Sequence, residues 1–449
     1  MTESFTISNV RRAAYGLGTV LRRKKRRGLV FVGYDTRLHS DRFALATAEV
    51  LASLGHRVKL SSRFLPTPAL SLAIKAQKAD AGVMITASHN AAVYNGLKIK
   101  LPPGVSAPSD FTCEVEKNIP FRPFPSAPKA AFQKADWLPH YLKVLKSRVD
   151  LPLLRRTPWK VVVDSMHGVG QRHFENLVSG RRLKVKTVAG ERDTAFGGRQ
   201  PEPIGSNLGP LAKAVRAFTA NVGFATDGDG DRVGMMDEKG RFVDVHKLHA
   251  LLFYHLWVER GMRGGVVKTV SGTQMVERMA RQWGAPLFET PIGFKHIGGV
   301  MLQEDVLLGL EESGGIAVKG HLPERDGLLS ALLLLEALVT LKKSVTEAVA
   351  FLQERFGPFH SSRLDLKNVP LESQNRLLTH LKNSPPSRIA GKRIVGVQTL
   401  DGVKFKLENA WVLFRASGTE PLLRLYAEAP TSQEVRALLN AARREAARN

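Results

Sequence analysis

The sequence has a single cysteine, Cys113, among its 449 residues, so no intrachain disulfide can form. It also lacks a long uninterrupted apolar run. Its most apolar segment, residues 327–341, contains Glu336 and is shorter than the roughly 20 apolar residues that a membrane-spanning helix requires. The opening residues, MTESFTISNVRR, include no apolar stretch typical of a signal peptide. We therefore expect a cytoplasmic protein without a membrane partner, in which residues 327–341 form a buried helix.

Acidic residues are few relative to basic ones. The chain has 41 Asp and Glu against 66 Lys and Arg, a formal net charge of +25. Such an excess is found in nucleic-acid-binding proteins and equally in proteins that bind anionic substrates. The densest basic block, residues 22–27, has no aromatic residues between its charges, which is typical of a solvated turn. Nucleic acid is not an expected partner, although charge alone leaves nonspecific RNA binding open, and no oligomeric state is indicated.

Runs rich in β-branched residues and ending in polar loops recur along the chain. The segments GLVFVGYDTR, WKVVVDSMHG and GGVVKTVSG are each followed, about fifty residues later, by a second apolar run: AGVMITASHN, NVGFATDGDGDR and VLLGLEESGG. Helical periodicity fills the intervals, and strands that alternate with helices indicate βαβ units. The predicted fold class is α/β, with three tandem α/β domains whose sheets are mixed but mainly parallel.

The C-terminal part of the chain has a different pattern. It reads as a hairpin around Asp401 and Gly402, two strands around the loop RASGTEP, and a terminal helix capped by Ser432. These elements predict a small α+β domain. Segments rich in proline and other helix breakers suggest linkers between the domains. The predicted domains are residues 1–135, 136–258, 259–365 and 366–449.

The loops TASHN, DGDGDR and EESGG are expected to converge on one site, because open α/β sheets bind ligands beyond the carboxyl ends of their strands. DGDGDR is the most specific of them. Asp227, Asp229 and Asp231 alternate, and the intervening glycines let the carboxylates meet. Three hard oxygen ligands suit Mg²⁺ or Ca²⁺. An EF-hand loop does not fit, because its sixth position, which needs glycine, is Arg232, and because the flanking segments read as strands.

The loop TASHN is less specific on its own. Ser88 has no G-x-S-x-G elbow around it, and the adjacent His89 is poorly placed to activate it, so a helix cap is a competing interpretation. A metal loop in the same chain favours another role. Ser88 would carry a phosphoryl group that a cation bridges to the three aspartates, because phosphoryl transfer depends on positioning and charge neutralisation.

Two further loops contain groups suited to a phosphorylated sugar. In EESGG, Glu311 and Ser313 offer the acceptors and donors that sugar hydroxyls need, although a capped turn is the alternative. RASGTEP combines a guanidinium, two hydroxyls and a glycine that lets backbone N–H groups approach a phosphate, and an ordinary turn is again the alternative. The groups of this cradle are Arg415, Ser417, Gly418 and Thr419.

Together these loops resemble those of the α-D-phosphohexomutases, which include phosphoglucomutase and phosphomannomutase. The resemblance covers nearly the whole chain in family order, through GYDTRLHSDRF, PTPALS, GVMITASHN, YNGLKIK, DGDGDR, TPIGFKHI, EESGG, HLPERDG and RASGTEP. It implies four domains around a central cleft and an isomerase that interconverts hexose 1-phosphate and hexose 6-phosphate through a phosphoserine and a hexose 1,6-bisphosphate. Glucose is the expected sugar and mannose the alternative. One Mg²⁺ per site and the bisphosphate as activator are the implied cofactors.

The resemblance also implies roles for individual residues. Ser88 would be the phosphoserine and would hold Mg²⁺ together with Asp227, Asp229 and Asp231. A lysine can serve as acid or base only if its surroundings lower its pKa, and Lys98 and Lys295 are the candidates. The implied catalytic residues are Ser88, His89, Lys98, Arg232 and Lys295. The implied substrate-binding residues, with the first two facing the cleft, are Arg37, Lys268, Glu311, Ser313, Arg415, Ser417, Gly418 and Thr419.

The sequence departs from this family at two places. Members open with a strand that ends in a loop such as F-G-T-S-G-x-R-G, whose arginine reaches the active site, whereas this sequence begins MTESFTISNVRR. Either the true start lies upstream or the loop was lost, and a loss favours an impaired homologue that binds phosphosugars without turnover. Ala91 stands where proline usually follows TASHN, a milder change that only loosens the loop. Glucosamine phosphate is less expected, because that subgroup has a different residue pair after the first glutamate.

Overall fold

The structure, a computed structural model, describes residues 5–24, 28–122, 131–416 and 422–448. Four sheets of four to six strands follow one another along these residues, each with its own helices. None of the helices in the described ranges has the length and apolar character needed to cross a membrane.

The first unit is a mixed six-stranded sheet with helices packed on it. Its elements are α1 (Ile7–Arg23), β1 (Leu29–Tyr34), α2 (Ser40–Ser53), β2 (Arg57–Ser61), α3 (Thr67–Gln77), β3 (Ala81–Ile85), β4 (Leu97–Leu101), β5 (Val105–Ser106), α4 (Ser109–Lys117) and β6 (Gln133–Ala135). The strand order is β5-β4-β3-β1-β2-β6, and β1 is parallel to both neighbours. Every residue of β3 is buried, as expected for a strand covered on both faces.

The second unit repeats this plan with five strands. Its elements are α5 (Leu138–Lys146), α6 (Leu151–Arg156), β7 (Lys160–Asp164), α7 (His173–Val178), β8 (Lys184–Val188), α8 (Gly209–Phe218), β9 (Val222–Thr226), β10 (Val233–Met236) and β11 (Phe242–Val243). The strand order is β11-β10-β9-β7-β8. The central strand β7 is parallel to β8 and β9, whereas β10 is antiparallel to β9.

The third unit has four strands in the same relationship. Its elements are α9 (Val245–Tyr254), β12 (Gly265–Thr269), α10 (Gln274–Trp283), β13 (Leu287–Thr290), α11 (Phe294–Gln303), β14 (Val306–Glu311), β15 (Gly315–Val318), α12 (Gly327–Leu341) and α13 (Val345–Phe356). The strand order is β13-β12-β14-β15, with only β15 antiparallel to its neighbour. A π-helical turn at His255–Glu259 extends α9.

The fourth unit is antiparallel. Its elements are β16 (His360–Lys367), α14 (Leu371–Asn383), β17 (Arg388–Ile389), β18 (Lys392–Arg393), β19 (Gly396–Gln398), β20 (Val403–Lys406), β21 (Trp411–Ala416), β22 (Leu422–Ala429) and α15 (Ser432–Arg448). The sheet order is β16-β22-β21-β20-β19, and the predicted hairpin joins β19 to β20. The helix cap is one residue from its predicted position, because Thr431 Oγ1, not Ser432, accepts a 3.1 Å hydrogen bond from the amide of Glu434.

The first three units share one topology, which confirms the predicted repeat. In each, the first strand lies between two parallel partners, and the strand that follows the third is antiparallel to it. The loops TASHN, DGDGDR and EESGG occupy equivalent positions, since they follow β3, β9 and β14 and precede β4, β10 and β15. The three polar loops are therefore the same connection of three similar sheets.

Helix α12 lies in the core shared by the first three units. All of its residues from Gly327 to Val339 are buried, so the predicted buried helix is confirmed. Each buried leucine contributes roughly 1.5–3 kcal/mol relative to an exposed one. Glu336 within the helix is paired with Arg260 at 2.5 Å and with His255 at 3.1 Å, so its charge is not left alone in the core.

Candidate active site

Ser88 lies in the loop that follows β3. Its backbone is left-handed (φ 52°), and its amide donates a 2.8 Å hydrogen bond to Thr86 Oγ1. The residue is 6 % exposed, and its Oγ donates to Asp227 Oδ2 across 2.9 Å. Residues 86–96, all of which the structure describes, contain no helix. The helix-cap interpretation is therefore wrong, and the hydroxyl is directed at the acidic loop of the second unit.

His89 lies beside Ser88 but is turned toward the second unit. Its Nε2 is 4.0 Å from Glu202 Oε1, and its Nδ1 is buried without a hydrogen-bond partner among the described residues. Burial, reinforced by Arg232 and Lys98, lowers the pKa of His89 to about 2. The ring is therefore neutral near pH 7, and a neutral imidazole retains one N–H that can donate to a neighbouring phosphate oxygen.

Arg37 lies beneath the Ser88 loop and does not face the cleft, contrary to the expectation. Its side chain is fully buried, and all five of its N–H groups are used. Four of them donate to backbone carbonyl oxygens of the loop and the fifth to a carboxylate, so none is left for a substrate. The acceptors are Ser88 O (2.7 Å), Asn90 O (2.6 Å), Ala91 O (2.8 Å), Tyr94 O (3.0 Å) and Asp35 Oδ2 (3.1 Å).

Asp227 joins the acidic loop to the Ser88 loop. Its Oδ1 accepts hydrogen bonds from the amides of Asp231 (2.9 Å) and Arg232 (3.1 Å), which leaves Oδ2 for the Ser88 hydroxyl. The close approach depends on Gly228, because a Cβ there would lie 2.5 Å from the carbonyl oxygen of Ser88. The glycine that the sequence places between two aspartates is needed for contact between the loops as well as for the turn.

Asp229 and Asp231 each accept hydrogen bonds through one carboxylate oxygen only, and Asp231 Oδ1 lies 4.0 Å from Nε of Arg232. Asp229 Oδ2 accepts from Thr67 Oγ1 (2.6 Å) and Lys98 Nζ (2.7 Å). Asp231 Oδ2 accepts from Arg325 Nη2 (2.6 Å) and, more weakly, from Lys98 Nζ (3.4 Å). The Oδ1 atoms of both residues are buried and have no hydrogen-bond partner within the described ranges. The cations contact the Oδ2 atoms, so the Oδ1 atoms remain for another ligand.

This donor set fits one divalent cation. Ligand atoms of the three aspartates lie within 4.8 Å of one another, and all three residues are fully buried. Burial, together with the other two carboxylates, raises the pKa of Asp227 well above its usual range. Burial acts in the same direction on Asp229, but Lys98 holds the pKa of that carboxyl below its ordinary value. A cation bound between the free oxygens would relieve this repulsion, and hard oxygen ligands are those that Mg²⁺ prefers.

Lys98 is the predicted acid/base candidate that reaches this cluster. It projects from β4, and its side chain is 27 % exposed. Burial alone would lower the pKa of Lys98, but the carboxylates of Asp229 and Asp231 raise it to about 12. The lysine is therefore an ammonium group held against the acidic loop.

Arg325 is a site residue that sequence reasoning missed. Its guanidinium bridges two units, since Nη2 lies 2.6 Å from Asp231 Oδ2 and Nη1 lies 2.8 Å from Glu311 Oε2. The face of the group lies 5.4 Å from the centre of the Phe294 ring. The available signal was HLPERDG, where an arginine directly precedes Asp326, the N-cap of the buried helix α12.

The predicted sugar-binding pair lies against the acidic loop. Glu311 Oε2 accepts from Ser313 Oγ at 2.7 Å, and an isolated β-bridge joins Arg232 to Gly315. Burial opposes the charge on Glu311, but Arg325 and Arg232 hold the pKa of this carboxyl below its ordinary value. The three equivalent loops therefore meet at one place, as predicted.

Arg232 lies at the rim of the same cluster, and its partner was not predicted. Its Nη1 is 3.6 Å from Glu202 Oε1, the same oxygen that faces His89, while its Nε is buried without a hydrogen-bond partner within the described ranges. Glu202 lies in the segment QPEPIG, which carries no periodic or motif signal. The carboxylate of Glu202 thus links the predicted residues His89 and Arg232.

Comparison with known proteins identifies the family. Models of the four phosphoglucomutase/phosphomannomutase domains match the chain in order. They are alpha/beta/alpha domain I at residues 1–122, domain II at 139–240, domain III at 244–356 and the C-terminal domain at 366–445. The chain belongs to the phosphoglucomutase/phosphomannomutase family. Its members are phosphohexomutases, which are isomerases that transfer a phosphoryl group within one sugar.

Individual members of the family align over most of the chain. A phosphoglucomutase/phosphomannomutase of Thermococcus kodakarensis is 31 % identical over 426 residues, which cover 94 % of this chain and 91 % of that protein. A phosphoglucosamine/phosphogalactosamine mutase of Sulfurisphaera tokodaii is 30 % identical over 421 residues, 92 % of this chain and 90 % of that protein. Family membership is thus shared by relatives named for different sugars.

Solved structures of the family have the same fold. A Thermus thermophilus protein described as a phosphomannomutase superposes with a TM-score of 0.87 at 35 % identity, over 99 % of this chain and 95 % of that one. An N-acetylphosphoglucosamine mutase of Aspergillus fumigatus, solved in complex with GlcNAc-6P and magnesium, superposes with a TM-score of 0.57 at 17 % identity, over 85 % and 91 % of the two chains. The predicted α/β architecture is confirmed, while the domain boundaries stay predictions.

Two lysines given roles in the site by resemblance to this family contact residues other than Ser88. Lys268 is buried, and its ammonium lies 2.9 Å from Glu277 and 2.8 Å from Glu289. Burial opposes its charge, but these carboxylates raise the pKa of Lys268, so the ammonium is committed to them and not to a ligand. Lys295, at the start of α11, donates to Ser109 Oγ of the first unit at 2.6 Å. The structure therefore does not bring either lysine to Ser88.

The phosphate cradle expected of a family member is only partly described. Arg415 lies at the end of β21, where its Nε donates to Asp401 Oδ2 at 2.9 Å. Asp401 Oδ2 also accepts from the amide of Ile292 in the third unit, so this carboxylate ties the fourth unit to the third. Ser417, Gly418 and Thr419 lie outside the described residues.

Proposed function

We propose that this phosphohexomutase interconverts the 1- and 6-phosphates of a hexose by passing a phosphoryl group through Ser88. The main support for this proposal is the 2.9 Å hydrogen bond from Ser88 Oγ to Asp227 Oδ2. The buried Oδ1 atoms of Asp229 and Asp231 belong to the same acidic loop and have no hydrogen-bond partner among the described residues. A hydroxyl held beside residues that would bind a cation is placed to carry a phosphoryl group, whose charge the cation would neutralise. Glucose is the sugar that we propose as preferred.

The proposed reaction has two transfers. In the first, the bond between phosphorus and Ser88 Oγ breaks while phosphorus bonds to the oxygen of the free hydroxyl of the hexose monophosphate, and the proton that this hydroxyl loses ends on Ser88 Oγ. The hexose 1,6-bisphosphate turns over in the cleft. In the second, Ser88 Oγ bonds to the phosphorus of the other phosphoryl group, the bond between that phosphorus and the sugar oxygen breaks, and the proton lost by Ser88 ends on the sugar oxygen of the isomeric monophosphate. The bisphosphate added in trace amounts serves as activator because it phosphorylates Ser88.

Ser88, Asp227, Asp229 and Asp231 are the residues that would hold Mg²⁺. When bound, the ion supplies charge neutralisation for the transferred phosphoryl group. The free Oδ1 atoms of Asp229 and Asp231 support this assignment. The fold neighbour from Aspergillus fumigatus was solved with GlcNAc-6P and magnesium, which supports Mg²⁺ as the choice of cation.

Cationic residues around Ser88 would position and neutralise the phosphoryl group. Lys98 is better placed than Lys295, because it contacts the acidic loop whereas Lys295 contacts Ser109. With a pKa of about 12, Lys98 keeps its proton near pH 7 and is suited to donating hydrogen bonds and neutralising charge rather than to transferring a proton. His89 and Arg232 would contact oxygens of the same phosphoryl group.

The sugar would be held by Glu311 and Ser313, and the nonreacting phosphate by Arg415 with residues 417–419. A carboxylate and a hydroxyl 2.7 Å apart can accept from and donate to neighbouring sugar hydroxyls. This pair need not contact C2, where glucose, mannose and glucosamine differ. Mannose therefore remains an alternative. Amino sugars are tested as well, because one relative is named for glucosamine and galactosamine.

The test is ³¹P NMR of the purified chain with Mg²⁺ and a trace of glucose 1,6-bisphosphate. Glucose 1-phosphate, mannose 1-phosphate and glucosamine 1-phosphate are supplied in parallel, each with its own bisphosphate in a repeat experiment. Conversion to a 6-phosphate is expected, fastest for glucose. Faster conversion of another sugar would overturn the glucose assignment alone. Binding of all three without conversion would favour the alternative of a phosphosugar-binding homologue.

A further inference from the structure

Lys100 and Glu324 form a buried ion pair between the first and third units. The Lys100 ammonium donates to Glu324 Oε2, and both side chains are 1 % exposed. Ser106 Oγ lies 3.0 Å from Lys100 Nζ and 2.8 Å from Glu324 Oε2, which satisfies the polar cluster. A buried pair is costly to desolvate, and apolar residues of similar volume often stabilise a protein as well or better. Stability alone is therefore a weak reason for this pair.

Each member of the pair is adjacent in sequence to a cation of the active site. Lys98 precedes Lys100 by two residues on β4, so the two side chains lie on the same face of the strand. Arg325 directly follows Glu324 in the loop between β15 and α12. Both cations contact one oxygen, Asp231 Oδ2, at 3.4 Å for Lys98 and 2.6 Å for Arg325. The contacts close a ring of charges that joins the first three units.

Within this ring of charges, the two carboxylate oxygens of Asp231 have different surroundings. Oδ2 is occupied by the two cations, while Oδ1 is buried, has no hydrogen-bond partner in the described part of the chain and lies 4.0 Å from Nε of Arg232. If Lys98 or Arg325 moved from Oδ2 to Oδ1, it would compete with a metal ion for that oxygen. The position of each cation along its own backbone is set by the neighbouring member of the pair, because Lys100 and Glu324 cannot move apart without leaving charges unpaired in the interior.

We propose that Lys100 and Glu324 are positioning residues. They keep Lys98 and Arg325 on Oδ2 of Asp231 and so preserve Oδ1 for the metal ion. The inference rests on the proposed function, because it assigns Asp231 to Mg²⁺. Neither residue touches the substrate or the reacting atoms. Outer-shell residues that orient metal ligands typically change metal affinity or activity by about 10–100-fold when they are replaced.

The first test compares Glu324→Gln with Glu336→Gln in the full chain. Both substitutions neutralise a buried carboxylate in an ion pair, but Glu336, which lies on α12, pairs with Arg260 away from the acidic loop. Mg²⁺ affinity is measured by titration calorimetry with the metal alone. We expect about tenfold weaker binding in Glu324→Gln and a change of less than about twofold in Glu336→Gln, although both lower the unfolding midpoint. Equal Mg²⁺ affinity in Glu324→Gln and the wild type would overturn the proposal.

The second test uses the double variant Lys100→Met, Glu324→Met, which removes both charges and keeps side-chain volume. It is expected to unfold near the wild-type midpoint, since replacing a whole buried pair is tolerated, and yet to bind Mg²⁺ more weakly. Wild-type Mg²⁺ affinity in this variant would overturn the proposal, because packing alone would then position the cations.

Kinetics separate positioning from substrate binding. In the mutase assay, Glu324→Gln is expected to lower kcat about tenfold and to change KM for the sugar phosphate less than about twofold. A loss that lies wholly in KM would contradict a role through the metal site. The failure of the proposed function is a different result: a wild-type chain that binds Mg²⁺ but converts no hexose phosphate would refute the mutase reaction and leave the calorimetric comparison valid.

Discussion

The guanidinium of Arg37 donates a 2.7 Å hydrogen bond to the carbonyl oxygen of Ser88. The same group holds the carbonyl oxygens of Asn90, Ala91 and Tyr94, while Asp35 fixes the guanidinium from behind. A loop that contains no helix is thereby held at four carbonyl oxygens, of which that of Ser88 is buried. The left-handed backbone at Ser88, which costs energy for a residue other than glycine, is maintained by these bonds.

Replacing Arg37 by lysine should lower both activity and stability. An ammonium has three donors and no planar fork, so it cannot serve five acceptors that lie around one guanidinium. We expect kcat to fall about 100-fold, since a misplacement of about 1 Å can cost that much, and the unfolding midpoint to fall with it. Mutase kinetics and thermal unfolding measure the two effects.

Arg192→Lys is the matched control for this change. Arg192 is exposed and donates to the backbone carbonyl oxygens of Thr36 (3.0 Å) and Arg37 (3.4 Å), beneath the same loop. Its replacement should change kcat less than about threefold, because substitutions of exposed side chains usually change stability by no more than about 0.5 kcal/mol. If the two substitutions lowered kcat equally, Arg37 would contribute no more than Arg192 to positioning the Ser88 loop.

Ser88→Ala should abolish turnover without removing the metal site. Asp227, Asp229 and Asp231 remain as ligands when the hydroxyl is removed, but Ser88 is itself a proposed ligand, so Mg²⁺ binding is expected to weaken without being lost. Loss of a nucleophile typically costs a factor of about 10⁶ in kcat, so conversion in the ³¹P assay should be undetectable. Intact-mass measurement after incubation with glucose 1,6-bisphosphate should show a phosphoryl adduct in the wild type only. Retained turnover in Ser88→Ala would refute the phosphoserine mechanism.

Gly228→Ala should push the Ser88 loop away from the acidic loop. The new Cβ would lie 2.5 Å from the carbonyl oxygen of Ser88, and overpacking of this kind costs roughly 1–3 kcal/mol. We expect weaker Mg²⁺ binding and a lower kcat, measured by calorimetry and by the mutase assay. In Gly299→Ala, the control, the Cβ meets nothing within 4 Å on helix α11, so stability should rise by roughly 0.5–1 kcal/mol with kcat unchanged. Unchanged kcat in Gly228→Ala would mean that the loops can separate without consequence.

The parts of the site that sequence reasoning predicted are those with a local pattern. Asp227, Asp229 and Asp231 alternate with glycine, and residue type and spacing already define three ligands on one tight loop. The common topology of the first three units could be anticipated because apolar strands and amphipathic helices alternate in a fixed order. The convergence of the Ser88, Asp227 and Glu311 loops then followed from the rule that ligands bind at the carboxyl ends of strands.

The remainder depended on side-chain directions that only tertiary packing decides. Arg37 and Lys268 were expected in the cleft, but each lies where buried acceptors are numerous: backbone carbonyl oxygens for Arg37, and the carboxylates of Glu277 and Glu289 for Lys268. Arg325 has no periodic signature, and its role depends on meeting a carboxylate 94 residues away in sequence. Long-range pairings of this kind are invisible to local sequence patterns.

Lys404 is a buried lysine at the seam between the third and fourth units. Its Nζ donates to the carbonyl oxygen of Val270 at 2.7 Å, lies 3.3 Å from Glu289 Oε1 and sits 4.6 Å from the centre of the Trp411 ring. Burial, reinforced by the nearby Lys268, lowers the pKa of Lys404 from 10.5 to about 8, although Glu289 acts in the other direction. The seam therefore contains a group that releases its proton more easily in the folded state than in the unfolded chain.

Stability should consequently rise with pH between about 8 and 9.5, and less so in Lys404→Met. In this window the unfolded lysine keeps its proton and the folded one loses it, so folding releases protons and the free energy of unfolding increases, by at most about 1.4 kcal/mol per pH unit for one group. Burial also lowers the pKa values of Lys100 and Lys247, which act in the same direction, so the comparison with the variant is informative and the wild type alone is not. Urea unfolding of both proteins at about pH 7.5, 8.5 and 9.5 measures the effect. Parallel curves would show that Lys404 has the same pKa in the folded and unfolded states, whereas a wild-type stability that gains on that of the variant as the pH rises would locate the shifted proton at the seam.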